Sequence, residues 1–207
     1  MAKNVILARD YHGDSGMEIS EIFVDGFYQW LRYFSKDKVK LKKAFQHIFN
    51  PEVFYVEVIN DKIAGITACN DGTNPSVILK KREFRRHLGF FMGTIAYYLL
   101  SQEFEKKKYP FEITKGMGLI EFVATSEQHR GQGVASTIIN HIIETTAYSE
   151  YALEVADTNT NAVKLYEKLG FSEFMKVKDK HSKQSGINYF VYMKKIKSQR
   201  PLHSKGY

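Results

Sequence analysis

Cysteine is all but missing from this chain: Cys69 is the single one among 207 residues. A lone thiol forms no internal disulfide, which fits a reducing compartment. Its place in an apolar strand pattern marks it as a buried, inert thiol rather than a nucleophile. The first residues, Met1-Ala2-Lys3-Asn4-Val5, lack the apolar core of a signal peptide. The longest apolar run, Leu88 to Leu100, is too short to cross a bilayer and contains Gly89 and Gly93. The expected location is therefore cytoplasmic, with no membrane partner. Histidine, cysteine and carboxylates nowhere take metal-ligand spacing, so no metal is expected. Internal repeats and low-complexity tracts are absent, and so is Gly-x-x-x-x-Gly-Lys-Ser/Thr, which excludes a Walker phosphate loop.

What is present is ordinary for a globular chain: 43% hydrophobic and 26% charged residues. The length suits one domain with a sizeable core. The net charge of +7 admits an anionic partner. The lysines are spread along the chain, however, so a solvated basic surface is the plainer explanation, and no recognition motif supports nucleic acid.

The stretch Gly118 to Ala147 organises the rest. Leu119-Ile120-Glu121-Phe122-Val123-Ala124-Thr125 is almost continuously apolar, the pattern of a strand covered on both faces. Ser126 to Gly133 forms a turn in which Glu127 and His129 belong to the loop surface. Val134, Ala135, Ile138, Ile139, Ile142, Ile143 and Ala147 then recur at helical period. A helix start offers unpaired N–H groups and about half a positive charge. Gly131 and Gly133 let the backbone approach a ligand closely, and a phosphate or diphosphate is the natural occupant. Two glycines at such a turn also occur with no ligand at all. Ser136 stands where a dinucleotide fingerprint would need a third glycine.

Upstream, Asn4 to Ala8 reads as a short strand. Ser15-Gly16-Met17-Glu18 has the form of a capping box. It opens a helix carrying Ile19, Ile22, Phe23, Phe27, Trp30 and Leu31. A second helix carries Leu41, Ala44, Phe45 and Ile48 and stops at Asn50-Pro51. Val53 to Ile59 and Ile63 to Ala68 flank Asn60-Asp61-Lys62, a hairpin signal, with Gly65 marking a bulge or a close approach. Ser76 to Leu79 is a further strand candidate. From 81 to 109, Phe84, Leu88, Phe91, Ile95, Leu99 and Phe104 indicate one or two helices, and Pro110 ends them. Downstream, Tyr151 to Ala156 is a strand, and a short helix packs Ala162, Leu165, Tyr166 and Leu169 before Gly170 stops it. A hairpin of Phe174–Val177 and Ile187–Met193 follows. The basic residues 197–207 form an expected frayed tail beyond a single domain at 1–196.

Two motifs give these elements a family. Gln128-His129-Arg130-Gly131-Gln132-Gly133 and the overlapping Arg130-Gly131-Gln132-Gly133-Val134-Ala135 both satisfy Arg/Gln-x-x-Gly-x-Gly/Ala. Asn159-x-x-Ala162-x-x-x-Tyr166-x-x-x-Gly170-Phe171 follows at the usual distance. The chain thereby resembles the GNAT superfamily of acyl-CoA-dependent N-acyltransferases, most specifically over 119–171.

The resemblance implies an α/β (α+β) fold: a mixed, mostly antiparallel twisted sheet of six to seven strands flanked by helices and splayed at the cofactor site. It implies acetyl-CoA as cosubstrate and a primary amine of a small molecule as acceptor, in a monomer or homodimer. By position, Val123 and Thr125 would pair their backbone with the pantetheine, as an added strand does. Gln128, Arg130, Gly131, Gln132, Gly133, Val134 and Ala135 would hold the diphosphate, and Asn159 the cofactor arm. A backbone N–H near Val123 would stabilise the oxyanion. Tyr166 would give the departing sulfur its proton. Its plainer reading is a buried hydroxyl meeting a carbonyl.

Glu121, a carboxylate in an apolar strand, is the candidate base, on the expectation that it shares a face with Val123. Its plainer reading is an edge or ion-paired residue. The helices at 81–109 read as an insertion beside the acceptor site, or else as a partner-binding element. A non-catalytic acyl-CoA sensor is the alternative function.

Overall fold

The computed structural model describes residues 4–180 and 182–197. Seven strands form one sheet: β1 (Asn4–Leu7), β2 (Phe54–Ile59), β3 (Lys62–Asn70), β4 (Met117–Thr125), β5 (Glu150–Ala156), β6 (Ser172–Lys178) and β7 (Tyr189–Ile196). Their order is β1-β2-β3-β4-β5-β7-β6, and every pair is antiparallel except β4–β5. Among the described residues, six helices of eight residues or more flank it: α1 (Ser15–Leu31), α2 (Lys38–Phe45), α3 (Lys81–Leu88), α4 (Phe90–Leu100), α5 (Val134–Thr145) and α6 (Thr160–Lys168). No described helix is long and apolar enough to cross a membrane.

The sheet separates two cores. On one face, Phe23, Phe45, Phe54, Ile66 and Phe84 pack with α1 to α4. On the other, Ile138, Ile142, Tyr151, Leu153 and Val191 pack with α5 and α6. Asn60 and Asp61 both take positive φ, 51° and 58°, the geometry a two-residue hairpin turn requires. Gly65 has both expected properties. The β2–β3 register shifts beside it, and an added Cβ would collide with a Val134 methyl, so the missing side chain lets the start of α5 press against β3. Cys69 is buried, and desolvation pushes its thiol up to about 12.

Several expectations are corrected. Asp14, not Ser15, caps α1, accepting from Met17 N at 3.0 Å. Glu18 does not complete a capping box, because its carboxylate takes the Ile63 amide at 3.0 Å and the Tyr11 hydroxyl at 2.9 Å. The second helix ends at Phe45, before Asn50-Pro51. Asn50 instead staples the loop at 74–75, donating to Asn74 Oδ1 and Pro75 O. Ser76 to Leu79 is not a strand: its ladder amounts to one bridge, Val77 to Phe49. Lys197 is anchored through Ser149 O and Thr146 O. The rest of the expected tail, from 198, lies outside the described residues.

Candidate active site

β4 and β5 pair only along their first halves. Met117 to Ile120 lie opposite Glu150 to Leu153, and beyond that point the two strands part. β5 stays paired with β7 through Ala156, and β4 with β3 through Thr125, so each half of the split keeps one hydrogen-bonded edge. The break coincides with Phe122, whose φ of 53° is unusual for a bulky residue, and with a register shift between β3 and β4. Aromatic packing holds Phe122 there, against Phe104 at 5.3 Å and against Phe23 and Phe54 at 6.0 Å.

That bulge separates two residues expected to share a face. Val123 packs with the α5 cluster, whereas Phe122 and Ala124 pack with the α1 side. Glu121 points to the α1 side as well. Its Oε2 accepts from Ser76 Oγ at 2.6 Å and Asn70 Nδ2 at 2.9 Å, and its Oε1 from Tyr109 Oη at 2.5 Å. Glu121 and Val123 therefore lie on opposite sides of the sheet. Glu121 is half-buried and hydrogen-bonded rather than ion-paired. Desolvation and the neighbouring Glu121 carboxylate push the Tyr109 hydroxyl far up.

Lys107, two residues before Tyr109, pairs with Glu154 of β5 at 3.2 Å. Residues 107–109 thus strap the two strands together on the α1 side just where backbone pairing stops. Sequence reading offers no sign of this strap, because neither partner is near Tyr109 in the chain.

The loop from β4 to α5 leaves a helix start without a side-chain cap. Gly131 and Gly133 both have left-handed φ, 76° and 82°. A Cβ added to Gly131 would meet nothing within 4 Å, so the space directly above that backbone is open. Among the loop amides, Gln132 N donates to His129 O at 3.3 Å, while the first amides of a helix have no intrahelical partner. Gln128 offers its carbonyl to Gln132 Nε2. Arg130 is exposed and 3.7 Å from Glu127. His129 bonds Ser126 Oγ, and the Ser126 amide ties the loop to Ala64 of β3. A bound diphosphate fits this cradle: open space, left-handed glycines and unpaired amides at the positive end of α5.

Across the split, Asn159 is the N-cap of α6, its Oδ1 accepting from Ala162 N at 3.3 Å. That use leaves its amide N–H groups for another partner. Tyr166 is only 6% exposed and packs in the α5-side cluster with Val155 and Phe171. Burial alone pushes its hydroxyl well above the usual tyrosine range, so it stays protonated at any physiological pH. Its hydroxyl makes no side-chain hydrogen bond among the described residues and is not one of the buried polar atoms left without a partner, so the oxygen itself remains open to solvent. Described residues hold no group of three potential metal ligands.

A twisted antiparallel sheet, parted between its one parallel pair beside an anion-ready helix start, is the architecture of an acyl-CoA-dependent acyltransferase. The sequence matches the model of the acetyltransferase (GNAT) family over residues 17–171, and the chain belongs to that family. Comparison with curated protein sequences returns no match. Among solved structures, the fold is similar to a histone acetyltransferase HPA2 and related acetyltransferase from Corynebacterium glutamicum (TM-score 0.60, 20% identity, covering 98% of this chain and 100% of that one). It is also similar to an N-acetyltransferase from Staphylococcus aureus Mu50 (TM-score 0.60, 17% identity, 93% and 100% covered). A third is the ribosomal-protein-S18-alanine N-acetyltransferase from Escherichia coli (TM-score 0.54, 13% identity, 98% of each chain covered). GNAT acetyltransferases use acetyl-CoA.

Proposed function

We propose that the protein transfers the acetyl group of acetyl-CoA to a primary amine of a small molecule by direct attack. The observation that carries this reading is the parting of β4 and β5 beyond Ile120 and Leu153, beside the open and uncapped start of α5. Acetyl-CoA supplies an activated acetyl group on a thiol leaving group. The amides of 130–135 hold the diphosphate, with Gln128 and Arg130 shaping the loop. The free edges of Val123 and Thr125 take the pantetheine as an added strand, and Asn159 donates from its side-chain amide to the cofactor arm. Tyr166 gives its proton to the departing sulfur, and a hydroxyl that remains protonated throughout the working pH range suits that role.

Glu121 stands on the other side of the sheet, so donor and acceptor are served from opposite faces. Held by three donors on that side, its carboxylate is placed to orient an ammonium. The helices at 81–109 reach this side through Phe104 on Phe122 and through the 107–109 strap, which supports a part for the insertion in choosing the acceptor.

The test is a thiol-release assay over a panel of polyamines, amino acids, amino sugars and peptides with free N-terminal alanine, the last prompted by the ribosomal-protein neighbour. Saturable turnover on a small amine is expected. Turnover confined to peptides would replace the acceptor class, and saturable acetyl-CoA binding without turnover on any amine would replace the enzyme by a sensor.

A further inference from the structure

The insertion carries a surface that neither core nor candidate site uses. α3 and α4 pack tightly at Gly93, where a Cβ would run into the backbone of Phe84 and Arg85, and they bury Phe84, Ala96 and Leu100. The far side of α4 is different. Phe91, Ile95 and Leu99 recur every fourth residue and are 82%, 41% and 47% exposed, with Phe90 and Tyr98 beside them at 62% and 54%. Five large apolar side chains thus form a projecting ridge about two turns, or ~12 Å, long.

Charge is concentrated at the same place. Lys80, Lys81, Arg82, Arg85 and Arg86 stand against Glu83, and five less one puts a charge of +4 on seven residues of a chain whose net charge is +7. The cations and the rings are interleaved. The Arg85 guanidinium lies 4.2 Å from the Phe90 ring centre, and Lys81 Nζ lies 4.5 Å from that of Tyr98.

We propose that the α3–α4 face seats the protein on an anionic lipid surface. A second copy of the chain would set +4 against +4. A nucleic acid would take the cations but leave the aliphatic Ile95 and Leu99 without a stacking partner. An anionic bilayer satisfies both halves at once: rings and aliphatic side chains enter the headgroup boundary while lysines and arginines meet the phosphates. The surface is independent of the acetyl-transfer reading.

The test is co-sedimentation with vesicles of phosphatidylglycerol and phosphatidylcholine in equal parts, and with vesicles of phosphatidylcholine alone. Wild type is expected to partition into the mixed vesicles only, less so as salt rises. Phe91→Asp, at a side chain outside the core, is expected to lower that partition about tenfold or more. The exposed pair Arg82→Glu with Arg86→Glu is expected to lower it about 25-fold. Thermal melting confirms that each variant is folded. No partition of wild type into the mixed vesicles, equal partition into both kinds, or partition untouched by the variants overturns the proposal. So does a wild-type dimer that Phe91→Asp turns into a monomer, which would assign the ridge to a second copy.

Discussion

The two halves of the β4–β5 pair have similar apolar composition and different fates. Met117 to Ile120 are buried and paired with β5, while Glu121 to Thr125 are half-buried and free of it. Composition does not separate them. What does is one residue's backbone, Phe122 at φ 53°, and one carboxylate, Glu121, drawn to the α1 side by Asn70, Ser76 and Tyr109. A left-handed conformation costs a side-chain-bearing residue roughly 1–2 kcal/mol, and the aromatic cluster around Phe122 offsets it. A closed sheet therefore opens by a local change, and the strand edge so released faces the uncapped start of α5.

The largest effect is expected in the loop between the open half and α5. Gly133→Asp puts a carboxylate where an anion is expected to dock, and acetyl-CoA affinity measured by calorimetry should fall beyond detection in a protein that still melts cooperatively. Next in size, Tyr166→Phe should lower kcat at least about 100-fold, the usual scale for a general acid, with cofactor affinity little changed. An unaltered rate would return Tyr166 to packing. The closed half should answer in stability instead. Ile120→Ala, in the buried half, is expected to cost about 2–4 kcal/mol in urea unfolding, whereas Val123→Ala, in the open half, should cost under ~1 kcal/mol but weaken cofactor binding.

The smallest effect lies far from the split, as a control. Desolvation lowers His47 from 6.5 to about 4, so the fold holds it neutral. Below 6.5 the unfolded chain binds the proton first, and stability falls as pH drops from 6.5 towards 4. His47→Gln should flatten that part of the curve and leave the rates of the open half unchanged.

What the sequence made legible was local chemistry. Asn60-Asp61 announces its turn, Gly131 and Gly133 their left-handed backbone, and Asn159 to Phe171 a capped helix with a buried tyrosine. What it hid depends on partners. Ser15-x-x-Glu18 resembles a cap, but Glu18 is captured by the Ile63 amide, 45 residues away. Phe91, Ile95 and Leu99 have helical period, yet period identifies a face without saying which way it points, and this one turns outward. Glu121 stood out as a carboxylate in an apolar strand. Its side of the sheet depended on a bulge that a single strand cannot announce, and its donors come from three separate segments.

Amide hydrogen exchange with and without CoA reads the parted strands and the glycine loop together. The account predicts new protection at 131–136 and at 121–125, with 117–120 already protected and unchanged. Protection absent from both stretches, or gained instead at the cleft of about 390 Å³ lined by Tyr55, Cys69, Asp71 and Tyr148, would contradict it.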